Sequence, residues 1–319
     1  MARPRRLSPR AVAATAGTLL SLGLLAYLFA RQGCGDIIDA LSRMPLMTLL
    51  ASCALFGVSR VGLAARWYFA LRSVDIHIPF TRVMGINFAS LYACNFLPSQ
   101  MGGDIVRLGA LLRTKQDAGT VAASLVVDHT TGLLSMLLVV PLALPAIAEF
   151  SRNNPFAATD ALPAVCLLGA AGGGWLQTLR GVLRSTWTAL RVALRRPGEV
   201  LASFAGSLVF MAGLFGSVQL LLLGLGESMS FWTVAGLWAF VYVASGLPIS
   251  LNGIGLQELS FSYAYTTLGG ASEPSALIVA VLVRVLTALW SLPGAPVLPG
   301  IMAGDRGEPV EAEAGAAVE

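Results

Sequence analysis

The chain has 319 residues, of which 56% are hydrophobic and only 12% are charged. Because a soluble domain normally carries about 25% charged residues, this composition excludes a water-soluble globular protein and predicts a polytopic, all-α membrane protein. The positive charges are almost all arginines, and they lie in clusters between apolar segments. Nucleic-acid binding would need a continuous basic surface, whereas separated clusters are typical of positively charged cytoplasmic loops.

Six apolar segments approach or exceed the roughly 20 residues that a membrane-spanning helix needs. They are residues 11–30, 46–70, 119–148, 161–176, 200–225 and 275–298. The first follows a basic tail, residues 1–10, and is interpreted as a retained span because it has no convincing cleavage site. Residues 175–199 are basic and amphipathic, which indicates a cytoplasmic helix on the membrane surface or a solvated connector. Residues 301–319 are expected to form a disordered acidic tail.

Two shorter apolar segments, 83–97 and 232–247, each run into a proline and a cluster of glycines. A second short helical segment follows each of them, at 104–113 and 256–268. Since a helix over 104–113 would be only about 15 Å long, the pattern predicts two re-entrant helical hairpins. Two alternatives stay open. Each hairpin could instead be a pair of full spans, which would leave the charged loops on the same sides of the membrane, or the prolines and glycines could merely kink ordinary helices.

The order of span, hairpin and span occurs twice, in residues 46–148 and 200–300. The distribution of arginines predicts cytoplasmic termini and hairpins that enter from opposite sides. A transmembrane domain over 11–300, with about six spanning helices and two re-entrant hairpins, would thus be an inverted-topology repeat. An alignment with one gap matches Leu97-Pro98 with Leu247-Pro248 and places Arg107 opposite Glu258. Interrupted helices at matching positions of two inverted halves indicate a transporter's substrate site.

Ionisable residues at the predicted membrane depth are the main candidates for this site. They are Arg60, Arg66, Asp104, Arg107, Asp128, Glu258 and Arg284. Residues at the helix breaks complete the candidate set, because broken helix ends expose N–H groups that attract anions: Asn95, Ser99, Gly102, Gly103, Asn252, Gly253 and Gly255. Four arginines against three carboxylates leave a formal charge of +1, which an anionic substrate would balance.

Roles follow from the chemistry of these side chains. Arg107 and Glu258 would form a gate or head-group clamp, while Arg60, Arg66 and Arg284 would hold a phosphate, which suits the planar guanidinium. Asp128 would pair with an arginine or carry a proton. Each residue could instead belong to a purely structural ion pair.

The run from Asn95 to Ser99, then Gly102-Gly103-Asp104 with Arg107, and later Asn252-Gly253 with Glu258, resembles the lysylphosphatidylglycerol synthase transmembrane (flippase-like) family. The resemblance covers about residues 10–300. It implies that the chain moves a phospholipid or lipid-linked anionic head group between leaflets of a bacterial inner membrane. The chain departs from the family at His129 and Gln257, where the family often has a basic residue. Because the sequence ends at residue 319 without a domain for aminoacyl transfer, synthase activity is not expected.

The leading hypothesis is therefore a lipid flippase with an arginine-lined cavity, and it is not an enzyme. No Walker-type motif occurs, and neither the four cysteines nor the two histidines have metal-ligand spacing, so no cofactor is predicted. Two alternatives stay open. One is an intramembrane transferase acting on a lipid-phosphate substrate, with Asp104 or Glu258 as general base. The other is an accessory subunit that holds lipid for a lipid or glycolipid synthase.

Overall fold

The computed structural model describes residues 44–95, 102–114, 116–139, 195–245 and 256–303, together with Ser42 and Pro141. Within these residues the chain is helical and contains no strand. The first half consists of α1 (Leu46–Ser73), α2 (Phe80–Cys94), α3 (Gly102–Leu112) and α4 (Ala118–Val139). The second consists of α5 (Pro197–Gly224), α6 (Phe231–Ser245), α7 (Leu256–Tyr263), α8 (Glu273–Ser291) and α9 (Val297–Ala303). The spans predicted at 11–30 and 161–176, the basic tail and the connector before residue 195 lie outside the described residues. The disordered tail predicted at 301–319 begins too early, because residues 301–303 belong to α9; its remainder lies outside the described residues.

Four of the described helices are long and apolar enough to cross a membrane: α1, α4, α5 and α8 with its 3-10 extension to Gly294. They correspond to the predicted spans at 46–70, 119–148, 200–225 and 275–298. The described part of α4 covers Ala118–Val139, and the rest of the span predicted at 119–148, apart from Pro141, lies outside the described residues. The chain is therefore an all-α membrane protein, as its composition predicts.

The two predicted hairpins are present as pairs of short, packed helices. α2 has 15 residues and α3 has 11, which gives lengths of about 22 Å and 16 Å at 1.5 Å per residue. α6 has 15 residues, and the 8 residues of α7 continue into a π-helix at Ala264–Leu268. All these helices are shorter than the roughly 30 Å hydrocarbon core, which fits re-entry. The connections at 96–101 and 246–255, with both proline breaks, lie outside the described residues.

The equivalent helices α1 and α5 pack against each other along their lengths and run antiparallel. Near one end, the hydroxyl groups of Ser52 and Ser217 are 2.8 Å apart. Near the other end, Nε of Arg72 lies 3.0 Å from Oε1 of Glu199. Since each half begins with one of these helices, the two halves are inverted relative to each other.

Small residues let the backbones of α1 and α5 approach closely. A Cβ atom on Gly206 would lie 2.7 Å from the backbone nitrogen of Arg66, and one on Gly213 would lie 2.7 Å from the carbonyl oxygen of Leu55. Close packing of small residues is a main source of helix association in membranes, where no hydrophobic force drives two apolar helices together. These glycines therefore form the seam between the halves.

The contacts across the seam obey a two-fold relation. Ser52 and Ser203 are each the seventh residue of their helix, and Arg66 and Ser217 are each the twenty-first. Ser52 bonds to Ser217, and the Ser203 hydroxyl donates to the carbonyl oxygen of Arg66 at 2.9 Å. The closing spans α4 and α8 obey the same two-fold relation, because each contacts the first two helices of the other half: α4 contacts α5 and α6, and α8 contacts α1 and α2.

One end of the bundle carries most of the described basic residues outside the spans, and we call it the arginine face. Its arginines are Arg72, Arg82, Arg113, Arg195 and Arg196. Ion pairs between Arg72 and Glu199, and between Arg196 and Asp75, join the two halves there. At the opposite end, the backbone N–H and hydroxyl of Ser272 donate to Glu227. Burial alone would raise the pKa of Glu227, but these hydrogen bonds hold it below its usual range.

Candidate substrate site

Asp128, in the middle of α4, is fully buried. It forms an ion pair with an arginine of α1, another helix of the same half. Arg66 of α1 donates two hydrogen bonds to it, from Nε to Oδ1 at 2.7 Å and from Nη2 to Oδ2 at 2.9 Å. Such bidentate pairing is the strong form of the arginine–carboxylate contact. Gly132 provides the space, because a Cβ there would lie 2.5 Å from Nη1 of Arg66. Of the two roles predicted for Asp128, the structure contains the pairing with an arginine.

Arg107, on α3, is almost completely buried and also faces carboxylates of the first half. Its Nη1 lies 3.3 Å from Oδ2 of Asp128 and 3.6 Å from Oδ1 of Asp104. Nη2 donates to the side-chain oxygen of Asn87 on α2, and the guanidinium carbon is 5.0 Å from the centre of the Trp67 ring, within cation–π range. Nε is buried without a hydrogen-bond partner among the described residues.

Asp104, the third residue of α3, also contacts His129 of α4. The distance from its Oδ2 to Nε2 of the histidine is 2.9 Å. The side chains are 25% and 54% exposed, respectively, so this contact lies at the accessible edge of the buried group. We call Arg66, Asp104, Arg107, Asp128 and His129 the first charge cluster. Its two arginines and two carboxylates balance when the histidine is neutral.

The second half contains a simpler arrangement, the second charge pair, formed by Glu258 of α7 and Arg284 of α8. Nε of Arg284 lies 2.8 Å from Oε1 of Glu258, and its Nη2 donates to the side-chain oxygen of Gln257 at 3.3 Å. Glu258 is 2% exposed. Within the described residues, no group of three His, Cys, Asp or Glu side chains could hold a metal ion.

The two charge groups occupy corresponding elements of the halves. Asp104 lies on α3 and Glu258 on α7, while His129 and Arg284 lie on the closing spans α4 and α8. The His129–Asp104 and Arg284–Glu258 contacts therefore each join the second hairpin helix to the closing span of the same half. The predicted alignment of Arg107 with Glu258 is anchored on Leu-Pro pairs that lie outside the described residues, so it stays a prediction.

Arg60 of α1 differs from the other buried arginines of the candidate set. It is 7% exposed, and its contacts are the Ser59 hydroxyl at 3.2 Å from Nε and the rings of Phe56 and Phe210 at 4.3 Å and 5.4 Å. No carboxylate forms an ion pair with it among the described residues. Phe210 belongs to α5, so the Arg60 guanidinium lies at the seam between the halves.

Some of the remaining candidate residues lie within the described part of the chain, and others lie outside it. Asn95, directly after α2, donates from Nδ2 to the hydroxyl of Ser291 in the other half at 2.8 Å. Gly102 and Gly103 begin α3, and a Cβ on Gly103 would lie 2.6 Å from the hydroxyl of Ser90. Glycine thus lets the two legs of the hairpin touch. Four predicted residues lie outside the described residues: Ser99, Asn252, Gly253 and Gly255.

Several residues of the charge groups were not among the sequence candidates. Asn87 and Trp67 contact Arg107, His129 contacts Asp104, and Gln257 contacts Arg284. Asn87 could have been found, because an amide in the middle of a 15-residue apolar helix must find a polar partner. Trp67 gave no comparable signal, since an aromatic side chain is ordinary in a membrane helix.

A small cavity of about 20 Å³ lies beside Arg66, lined also by Phe210, Trp238 and Tyr242, and it has room for about one water molecule. The wider arginine-lined cavity expected from the sequence stays a prediction. A larger cavity, of about 480 Å³, lies at the arginine face.

The fold and the buried charges define a class: helical membrane proteins built from an inverted repeat with interrupted helices. Within that class the chain belongs to the lysylphosphatidylglycerol synthase TM region family, whose model matches residues 14–294. The family indicates a lipid-related function in the membrane. No curated protein matches the sequence.

Proposed function

We propose that this chain transports a phospholipid, or another lipid with an anionic head group, between the two leaflets of the inner membrane. The head group would pass between the two halves while the acyl chains stay in the bilayer. Support comes from the inverted repeat, the lipid-related family and the buried charges of the candidate site.

The observation that carries the proposal is the surplus arginine at the seam. Arg66, Arg107 and Arg284 each have carboxylates within ion-pair distance, so the excess positive charge predicted from the sequence is assigned to Arg60. A charged arginine costs about 2.5–3.5 kcal/mol at the centre of a membrane helix on insertion scales. An anionic head group at the seam would offset this cost, since the guanidinium plane matches phosphate oxygens.

The ion pairs supply the means of opening and closing. In the described conformation Arg66 is bound to Asp128 and little space remains between the halves. Separation of the halves from one side would expose Arg60 and then Arg66, so that a phosphate could replace a carboxylate as a partner. Because the repeat is inverted, the same separation can occur from the other side around the same charges.

The arginine face would be cytoplasmic. It carries the described arginines outside the spans, whereas the opposite end has Glu227 and Glu273, and short cytoplasmic loops are rich in arginine. A cysteine introduced at Arg195 would then react with an impermeant maleimide only after the cells are opened. Labelling of intact spheroplasts would contradict this orientation.

Transport is tested with purified protein in liposomes that contain fluorescently labelled phosphatidylglycerol and no nucleotide. We expect the unmodified protein to move the label between leaflets and Arg60→Gln to reduce the rate at least tenfold. Arg195→Gln is the control, because Arg195 is exposed at the arginine face and lies outside the contacts described between the halves, and it should retain the rate.

The other functional classes give different results in the same preparation. Formation of a new lipid product from a lipid-phosphate donor would indicate a transferase. Neither movement nor product, together with co-purified lipid, would indicate an accessory subunit. If Arg60→Gln transports lipid as fast as Arg195→Gln does, Arg60 has no role in transport even though transport occurs.

A further inference from the structure

The larger cavity, of about 480 Å³, lies at the arginine face between the ends of the first hairpin and the last helix. The first turns of α2 form one wall, the end of α3 forms the second, and α9 forms the third. We call it the arginine groove. It is separate from the first charge cluster, and no residue of it is among the sequence candidates.

The groove combines two kinds of surface. Arg82 and Arg113 approach it from the two legs of the hairpin, and Thr81 adds a hydroxyl. Its other lining is apolar, with Ile86 on α2 and Val297 on α9 among the wall residues. Two guanidinium groups beside an apolar trough complement a molecule with an anionic head and a hydrocarbon tail.

Glycines keep the groove open. A Cβ on Gly85 would meet only Val297, at 3.8 Å, and one on Gly300 would meet nothing within 4 Å. A larger side chain at Gly85 could therefore fill the space without a backbone clash at its first atom. The volume lies in the range of about 300–1,000 Å³ that is usual for small-molecule sites, which accommodates a phosphate-bearing head group and the first part of an acyl chain.

We infer that the arginine groove binds an anionic phospholipid, with the phosphate at Arg82 and Arg113 and an acyl chain along the apolar wall. Free phosphate would leave the apolar wall unused, and an uncharged lipid would make no use of the positive charge of the two guanidinium groups. A second assignment rests on the proposed function: the groove holds a lipid before it is transported. Arg113 follows Arg107 by six residues, a rise of about 9 Å along a helix, so the groove lies close to the first charge cluster.

The test measures binding separately from transport. Protein purified in detergent and stripped of lipid is titrated with phosphatidylglycerol, and bound lipid is counted by native mass spectrometry. We expect Arg82→Gln/Arg113→Gln to weaken binding at least fivefold. Gly85→Leu should do the same while leaving every charge in place. Arg195→Gln is the matched control, because Arg195 is exposed on the same face but does not line the groove.

Each alternative has its own outcome. If inorganic phosphate at millimolar concentration displaces the lipid, and Gly85→Leu binds normally, the site takes a free anion and the inference is wrong. It is also wrong if both groove variants bind phosphatidylglycerol as well as Arg195→Gln does. Melting temperatures of all variants exclude unfolding as the cause. If liposome transport is absent but groove binding is lost as expected, the lipid site stands and the proposed transport fails.

Discussion

The two halves share one helical framework but carry different charges on it. In the first half, five ionisable side chains from three helices form a cluster around the fully buried Asp128. In the second half, Glu258 and Arg284 form a pair with Gln257 beside them. Only the hairpin-to-span contact is common to both, and it uses His129 in the first half and Arg284 in the second.

Among the described residues, the charge group of the second half therefore contains fewer ionisable side chains than the cluster of the first half. The additional Arg66–Asp128–Arg107 group must be compensated internally, since isolated charges in a membrane are costly. We therefore expect the first half to depend more strongly on its charges, both for stability and for transport.

The largest effect is expected from Asp128→Asn. This change leaves Arg66 and Arg107 buried without their shared counter-charge, and breaking a buried ion pair in this way costs about 3–5 kcal/mol. Thermal unfolding in detergent should show a large drop in melting temperature or failure to accumulate in the membrane. Glu258→Gln is the matched change in the second half. It should cost less, because Arg284 is 25% exposed and can reach water. A loss for Glu258→Gln as large as that for Asp128→Asn would contradict the comparison.

A smaller effect is expected at the seam that joins the halves. In Gly206→Ala the added methyl group would lie 2.7 Å from the backbone nitrogen of Arg66, so α1 and α5 must separate. Overpacking of this kind typically costs about 1–3 kcal/mol. Transport should slow as well, because Arg66 moves relative to Asp128. Gly198→Ala is the control on the same helix, since a Cβ there meets nothing within 4 Å, and its melting temperature and transport rate should be unchanged. If both variants melt alike, close packing at Gly206 is not what joins the halves.

The sequence predicts the helices well because long apolar segments can satisfy their backbone groups in a membrane only as helices. The register between the halves at Arg107 stays a prediction, because the Leu-Pro pairs that served as its anchors lie outside the described residues.

The charge count was predictable, but its distribution was not. Adding the buried arginines and carboxylates gives an excess of +1, yet Arg60, Arg66 and Arg284 appeared equivalent in the sequence. Which arginine has no carboxylate partner among the described residues depends on how α1 packs against α4 and α5, since Arg66 faces Asp128 while Arg60 faces Phe210. That packing is a tertiary property and is not contained in the spacing of the residues along α1.

The smallest and most specific effect is expected from His129→Arg, which gives the first half the contact that the second half already has. Arginine keeps its charge in proteins, so His129→Arg places a permanent positive charge beside Asp104. The resulting ion pair should tighten the contact between α3 and α4 and hinder the opening of the halves.

We therefore expect His129→Arg to slow lipid transport in liposomes by a few-fold, while His129→Gln, which adds no charge, should keep the rate of the unmodified protein. The change in folding stability should be below about 1 kcal/mol in both variants, as for other partly exposed pairs. Equal transport rates for the two variants would contradict this prediction, because the charge at this contact would then not govern the opening of the halves.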